Sequence, residues 1–155
     1  MYVFDNSPLS SMFRNYFPAR FPTLWQRFDA LVADGNVVST REALREIQIG
    51  PEGPCLNWCE GNRPLFATPT AAEAGHVAQI FAVPHFQQNI EMQKILNGGL
   101  NADPFVIARA MAEGKAVVTM EVRKPQAAKI PNICEHFGVR CLSLESFMEE
   151  QGWAF

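Results

Sequence analysis

The chain has 155 residues, of which 48% are hydrophobic and 19% charged, and its formal net charge is −3. A chain of this length and composition can bury a substantial core, so we expect one domain over residues 1–155 and exclude a largely disordered chain. The acidic balance argues against a passive binder of long nucleic acid, which would be basic. It does not argue against an enzyme that cuts nucleic acid with acid-bound metal ions.

The N-terminal segment does not resemble a secretory signal, because Asp5 and Asn6 interrupt any apolar run and no basic residue precedes them. No stretch of the sequence approaches the roughly 20 apolar residues that a membrane-spanning helix needs. We therefore expect a cytoplasmic protein with no membrane contact.

Apolar spacing, with Gly and Pro as boundaries, predicts five elements at the start of the chain. They are a strand at 2–4, a helix at 8–15, a helix at 21–34, a strand at 36–39 and a helix at 40–48. Ser7 and Pro8 are predicted to form the N-cap and the first turn of the first helix. Residues 49–64 are rich in Gly and Pro and are predicted to be a loop.

Further elements follow along the chain. They are a helix at 70–83, a helix at 86–97, a helix at 103–113, a strand at 116–120, a strand at 139–142 and a helix that begins at 143 or 144. Thr70 and Glu73 have the spacing of a capping box. Because short apolar strands alternate with helices, we predict a three-layer α/β/α domain with a short, mostly parallel central sheet.

Acidic residues follow two of the predicted strands: Asp5 follows the first and Glu121 follows the third. Ligands of an open parallel sheet bind beyond the carboxyl ends of its strands. Because Ser7 is predicted to cap the first helix, Asp5 is available for another role. Asp103 precedes Pro104 in a pair typical of a helix start, and one of its carboxylate oxygens can still point outward.

The helix at 40–48 carries two acids, Glu42 and Glu46. Its predicted buried stripe consists of Ala43, Leu44 and Ile47. Glu46 borders this stripe and can reach inward, whereas Glu42 is interpreted as a solvated acid. Clustered carboxylates without matching histidines favour a hard, oxygen-seeking ion, so we predict Mg²⁺ or Mn²⁺. Such an ion supports phosphodiester cleavage.

Four segments match, in order and spacing, the motifs of a known family. They are Tyr-Val-Phe-Asp-Asn-Ser at 2–7, Val-Ser-Thr-Arg-Glu-Ala-Leu-Arg-Glu-Ile at 38–47, Ala-Asp-Pro-Phe-Val-Ile-Ala at 102–108 and Val-Val-Thr-Met-Glu at 117–121. The chain resembles the PIN-domain superfamily, whose best-known bacterial members are the VapC-type ribonuclease toxins. Its C-terminal part looks like a PIN-like branch that is often inferred to be toxin-like. Glu121 departs from the family pattern, in which Asp is usual.

The resemblance implies a single PIN-like domain that acts as a metal-dependent endoribonuclease. Asp5, Asp103 and Glu121 are expected to hold the metal, and Glu46 completes the catalytic set. The candidate substrate-binding residues are Asn6, Thr119, Arg123, Lys124 and Lys129. The implied partners are an RNA substrate and, for a toxin, an antitoxin protein that masks the acidic cleft. Family members often form homodimers.

Other interpretations remain open. An inactive PIN-like fold could serve as a binding or scaffolding module, which the change to Glu121 favours. Another Mg²⁺-dependent phosphotransfer enzyme is weakened as an alternative by the lack of a phosphate-binding glycine loop and of a nucleophile elbow. The cysteines, expected to be free thiols, could instead form a zinc site in which Cys55 and Cys59 join Cys134 and His136.

Overall fold

The structure, a computed structural model, describes the backbone of residues 1–155 and the side chains of residues 1–92 and 98–155. Its strands are β1 (Tyr2–Phe4), β2 (Val37–Thr40), β3 (Phe66–Ala67), β4 (Ala116–Val118) and β5 (Cys141–Leu142). They form one sheet in the order β3-β2-β1-β4-β5, and every neighbouring pair is parallel. The predicted short, parallel central sheet is confirmed.

Helices flank this sheet. They are α1 (Asn6–Asn15), α2 (Pro22–Ala33), α3 (Arg41–Gln48), α4 (Pro54–Gly61), α5 (Ala71–Ala82), α6 (Gln87–Asn97), α7 (Asp103–Glu113), α8 (Ile130–Phe137) and α9 (Leu144–Glu150). Two short 3-10 turns lie at Arg63–Leu65 and Pro84–Phe86. Over the described residues, no helix combines the length and the apolar character needed to cross a membrane.

The core is centred on β1, whose three residues are all buried. Phe4 packs against Phe28 of α2 and Phe147 of α9, with ring centroids 5.4 Å and 5.0 Å apart. Helix α7 packs against β1, β2 and β4. A strand covered in this way needs no polar face, which explains the continuous apolar runs in the sequence. The predicted three-layer α/β/α architecture is confirmed.

Local signals explain where several helices begin and end. Thr70 accepts a hydrogen bond from the Glu73 N–H (3.2 Å), and Glu73 accepts one from the Thr70 N–H (2.8 Å), so the predicted capping box is confirmed. Gly114 ends α7 with a φ of +64°, a conformation that glycine adopts without steric cost, and the chain turns there into β4.

Residues 49–64 are not the loop that their Gly and Pro content predicts. Helix α4 begins at Pro54, directly after Gly53, and it buries Cys59 against the core. Proline is well suited to the first position of a helix, so here the Gly–Pro pair marks a helix start. Strand β3 is also not predicted, because it has only two residues and depends on pairing with β2.

The C-terminal third differs from prediction in two ways. The strands predicted at 116–120 and 139–142 extend only over β4 and β5, because their pairing ends at Val118 and begins at Cys141. Helix α8 is not predicted at all, although it buries Ile130 and Ile133 at helical spacing. This helix contributes directly to the candidate site.

Candidate metal centre

The candidate site lies at the carboxyl ends of β1 and β4. The strand order reverses there, since β1 has β2 on one side and β4 on the other. The backbone N–H of Asp5 donates to the carbonyl of Val118 at 3.0 Å, which continues the pairing one residue beyond β1. Crevices at such a reversal are the usual ligand sites of open parallel sheets.

Asp5 is only 3% exposed. Its carboxylate caps α1 and also accepts hydrogen bonds from two hydroxyl groups. It is the N-cap of α1, and its carboxylate accepts from the Asn6 N–H at 2.8 Å. The Ser7 hydroxyl (2.9 Å) and the Thr119 hydroxyl (3.1 Å) donate to its other oxygen. The prediction that Ser7 caps this helix is wrong, because Asp5 has the extended backbone of an N-cap and α1 begins two residues earlier than expected.

Asp103 is the first residue of α7 and is 5% exposed. Its carboxylate accepts a 2.8 Å hydrogen bond from the side-chain amide of Asn89 on α6. Asn89 is itself 4% exposed, and it also donates to the carbonyl of Ala128 (3.1 Å) and accepts from Asn101 (2.7 Å). Asn89 is not predicted from the sequence, because no motif marks an amide that acts through another side chain.

Glu46 reaches inward from α3, as predicted from its position beside the buried stripe. One carboxylate oxygen accepts from the side chain of Asn6 at 2.7 Å, and the other accepts from the N–H of Ala102 at 2.8 Å. Ala102 immediately precedes Asp103, so Glu46 connects the start of α1 to the start of α7.

Glu121 connects β4 to the unpredicted helix α8. Its carboxylate accepts a 2.8 Å hydrogen bond from the backbone N–H of Ile130, the first residue of α8. The Thr119 hydroxyl, which donates to Asp5, also accepts from the Glu121 N–H at 3.1 Å. All four predicted acids therefore lie at one edge of the sheet, on segments joined by hydrogen bonds.

Burial raises the pKa of all four carboxyl groups, and the charge of Asp5 raises the pKa of the other three further. Loss of solvation raises the pKa of Asp5, and its hydrogen bonds oppose the change only in part. The pKa of Asp103 is raised well above its usual range by burial and by the charges of Asp5 and Glu121. Burial and the same two charges raise the pKa of Glu46 to about 7. Burial also raises the pKa of Glu121, with the charge of Lys129 opposing.

The donor set fits a hard divalent cation. Its members are carboxylates with a hydroxyl beside them, the oxygen ligands that Mg²⁺ and Mn²⁺ prefer. Buried acids that raise one another's pKa are stabilised by bound protons or by a cation. In the part of the chain whose side chains are described, no three His, Cys, Asp or Glu side chains already form a ligand group. The carboxylates must therefore move closer together to share a metal ion.

The cysteines give no support to the zinc alternative. Cys55, Cys59, Cys134 and Cys141 are all free thiols, as expected. The described His and Cys side chains, like the acids, form no three-residue ligand group.

The predicted substrate-binding residues separate into three groups. Asn6 and Thr119 belong to the acid cluster, where they donate to Glu46 and Asp5. Lys124 and Lys129 line a cavity of about 410 Å³ whose wall also contains Asp103 and Glu121. Arg123 instead forms an ion pair with Glu135 of α8. The lysines are thus the basic groups of this loop that lie beside the acids.

Glu42 is not the solvated acid that the sequence predicts. It is 8% exposed, and its carboxylate pairs with Arg41 at 2.8 Å and Arg45 at 3.9 Å. Arg41 and Arg45 are thus the charged partners of Glu42. The angle between Glu42 and the buried stripe predicts a solvated acid, whereas the structure buries Glu42 beside two arginine side chains.

The fold and the site together define an α/β domain with a buried acidic cluster at the carboxyl edge of a parallel sheet. The chain belongs to the family described as a domain of unknown function (DUF4411), whose sequence profile matches residues 2–155. A search of curated proteins found no match to the chain.

Proposed function

We propose that the protein is a metal-dependent ribonuclease that hydrolyses RNA phosphodiester bonds. The observation that carries the proposal is the convergence of four carboxyl groups on hydrogen-bonded segments at the sheet edge, where the charge of Asp5 raises the pKa of the other three. Asp5, Asp103 and Glu121 are the residues that would hold Mg²⁺ or Mn²⁺. When bound, the metal polarises the phosphate and activates water.

The chain's own residues orient the acids and accept a proton. The hydroxyls of Ser7 and Thr119 fix the carboxylate of Asp5. Asn6 and the Ala102 N–H hold the carboxylate of Glu46, whose pKa of about 7 suits the acceptance of a proton from attacking water near neutral pH.

Basic and polar groups beside the acids would bind the RNA backbone. Lys124 and Lys129 are suited to phosphate contacts, because their cavity opens onto Asp103 and Glu121. For Arg123 to take part, it must first leave Glu135.

We further propose that this nuclease is the toxin of a toxin–antitoxin pair. The support is the resemblance of its four motifs to VapC-type toxins. An antitoxin would then cover the acidic cleft and exclude RNA, and a homodimer is the oligomer that the resemblance suggests.

The test is metal-dependent cleavage of end-labelled structured and unstructured RNA, with single-stranded DNA as a second substrate. Native protein with Mn²⁺ or Mg²⁺ should cut RNA, and chelator should abolish cutting. Asp5→Asn and Asp103→Asn should each lower the rate by at least about 100-fold, given the usual worth of a group that stabilises the transition state. Asp34→Asn, an exposed acid outside the cluster, is the matched control.

A second candidate function, an inactive binding or scaffolding module, has one observation in its favour. Glu121 replaces the usual Asp of the PIN pattern, and its carboxylate is engaged with the Ile130 N–H. This alternative predicts no Mn²⁺ binding by calorimetry and no cleavage of any substrate. It also predicts that Asp5→Asn leaves partner binding intact.

A further inference from the structure

A second cavity opens on the acid cluster from the side of α1. Its volume is about 370 Å³, and its wall contains Asn6 and Glu46 of the cluster together with Arg14. The first cavity, with Lys124 and Lys129, contains the other acids, Asp103 and Glu121. Glu46, in the wall of the α1 cavity, accepts from the N–H of Ala102, next to Asp103 in the wall of the other cavity, so both cavities border the acid cluster.

One face of α1 leads from the acids to Arg14. Asn6, Ser10 and Arg14 are spaced four residues apart and all line this second cavity. With a rise of 1.5 Å per residue, Arg14 lies about 12 Å along the helix from Asn6. Arg14 thus lies about two helical turns from the acid cluster, which favours contact with a neighbouring phosphate over the phosphate at the acids.

Arg14 differs from most of the chain's arginines in its lack of an ion pair among the described side chains. Six others, Arg41, Arg45, Arg63, Arg109, Arg123 and Arg140, form ion pairs with carboxylates. Among the described side chains, Arg14 forms no ion pair, and the same holds for Lys124 and Lys129. Cations without carboxylate partners therefore line both cavities that open on the acid cluster.

We propose that the α1 cavity is a phosphate-binding subsite in which Arg14 holds a substrate phosphate on one flank of the scissile bond. Lys124 and Lys129 then hold the strand on the other flank. This inference rests on the proposed ribonuclease function and extends it, because it requires a strand that continues on both sides of the cut. A polyanion that crosses four carboxylates is repelled by them, and cations at both flanks offset that repulsion.

The test is binding of a fluorescently labelled single-stranded RNA by anisotropy, with Ca²⁺ in place of Mn²⁺, at several salt concentrations. Arg14→Ala should weaken binding and reduce the slope of log K against log salt by about 0.7, the value for one phosphate contact on a single strand. Arg14→Lys should restore the slope. Binding of a dinucleotide, which has no further phosphate on the flank of the scissile bond, should not change in either variant.

The matched control is Arg20→Ala, which removes another exposed arginine that lines neither cavity. A thermal melt verifies that each variant is folded. Equal binding and equal slopes for Arg14→Ala and Arg20→Ala would overturn the proposal. So would a loss of dinucleotide binding in Arg14→Ala as large as its loss of RNA binding. The absence of RNA binding by the native protein would also overturn it.

Failure of the subsite and failure of the nuclease are distinguishable. If native protein cuts RNA and Arg14→Ala cuts and binds equally well, the subsite is wrong and the nuclease stands. If Arg14→Ala shows the predicted loss of slope but native protein cuts nothing with any metal, the subsite stands and the chemistry is wrong.

Discussion

Asn89 is the side chain through which the structure adds most to the candidate site. Its amide donates to the carboxylate of Asp103 at 2.8 Å and to the carbonyl of Ala128 at 3.1 Å, next to Lys129. It thereby links a proposed metal ligand to the loop that carries the basic residues. Partners that orient a metal ligand in this way have large effects on metal affinity.

We expect Asn89→Ala to weaken Mn²⁺ binding by about 10-fold to 100-fold, because Asp103 loses the donor that positions it. Isothermal titration calorimetry measures the effect directly. The control is Asn57→Ala, which changes an exposed amide on α4. Native-like Mn²⁺ affinity in a folded Asn89→Ala variant would show that Asp103 needs no such support.

Glu46 makes the stability of the metal-free protein depend on pH. Burial and the charges of Asp5 and Glu121 raise its pKa to about 7, so the folded protein binds this proton more tightly than the unfolded chain does. Its contribution to stability is therefore full at pH values below the unfolded pKa and is lost as the pH rises through about 7.

In chelator, the melting temperature of native protein should fall between about pH 5 and about pH 8, and Glu46→Gln should flatten that fall. We expect the flattening to correspond to about 1 kcal/mol, because the group is partly exposed to solvent, which screens its charge. Comparing pH slopes removes any constant cost of losing the Ala102 or Asn6 hydrogen bond. Parallel pH profiles for the two proteins would contradict the assignment.

Three residue-scale predictions show what the local sequence can and cannot supply. It identifies Glu46 as the inward acid of α3, because that depends only on the angle between Glu46 and the buried stripe. It misjudges Glu42, because the burial of that acid depends on the side-chain conformations of Arg41 and Arg45. It also assigns the α1 cap to Ser7 when Asp5, two residues earlier, does the capping.

At the scale of elements, α8 is a helix that is not predicted from the sequence, although it contributes to the candidate site. Its N-cap residue, Lys129, makes no side-chain capping bond. The carboxylate of Glu121 accepts from the first N–H of the helix instead, from nine residues earlier in the chain. A capping residue so far away leaves no local sequence signature.

This contact gives a physical reason for Glu rather than Asp at position 121. We expect Glu121→Asp to lower the free energy of unfolding by about 1 kcal/mol, comparable to the loss of an N-cap, because the shorter side chain cannot reach Ile130. Urea denaturation measures the change. Glu149→Asp, an exposed position on α9, should cost only a few tenths of a kcal/mol. Equal effects at the two positions would rule out the capping role.

Two other element-scale errors concern strands. β3 is not predicted and β5 is shorter than predicted, because their extent depends on pairing with β2 and β4, which periodicity within a short window cannot detect. In contrast, α5 and α7 were predicted to within a residue, because a capping box begins one and a glycine ends the other. The alternation of strands and helices was enough to predict the layers.

At the scale of the whole molecule, a protein of net charge −3 is proposed to hold an RNA strand against four acids. The arrangement of charge makes this feasible, since Arg14, Lys124 and Lys129 lie in the two cavities that border the cluster. RNA binding should therefore depend on salt through a few local contacts and should not require a basic surface.

The most direct test of this account is the cleavage rate of a labelled RNA with Mn²⁺ or with chelator, for native protein and for Asp5→Asn. Asn caps a helix about as well as Asp, so this variant removes the charge and keeps the fold. We predict that native protein cuts the RNA with Mn²⁺ and does not cut it in chelator, and that Asp5→Asn does not cut it in either condition. Cutting that persists in chelator or in Asp5→Asn, or no cutting together with no Mn²⁺ binding, would contradict this account.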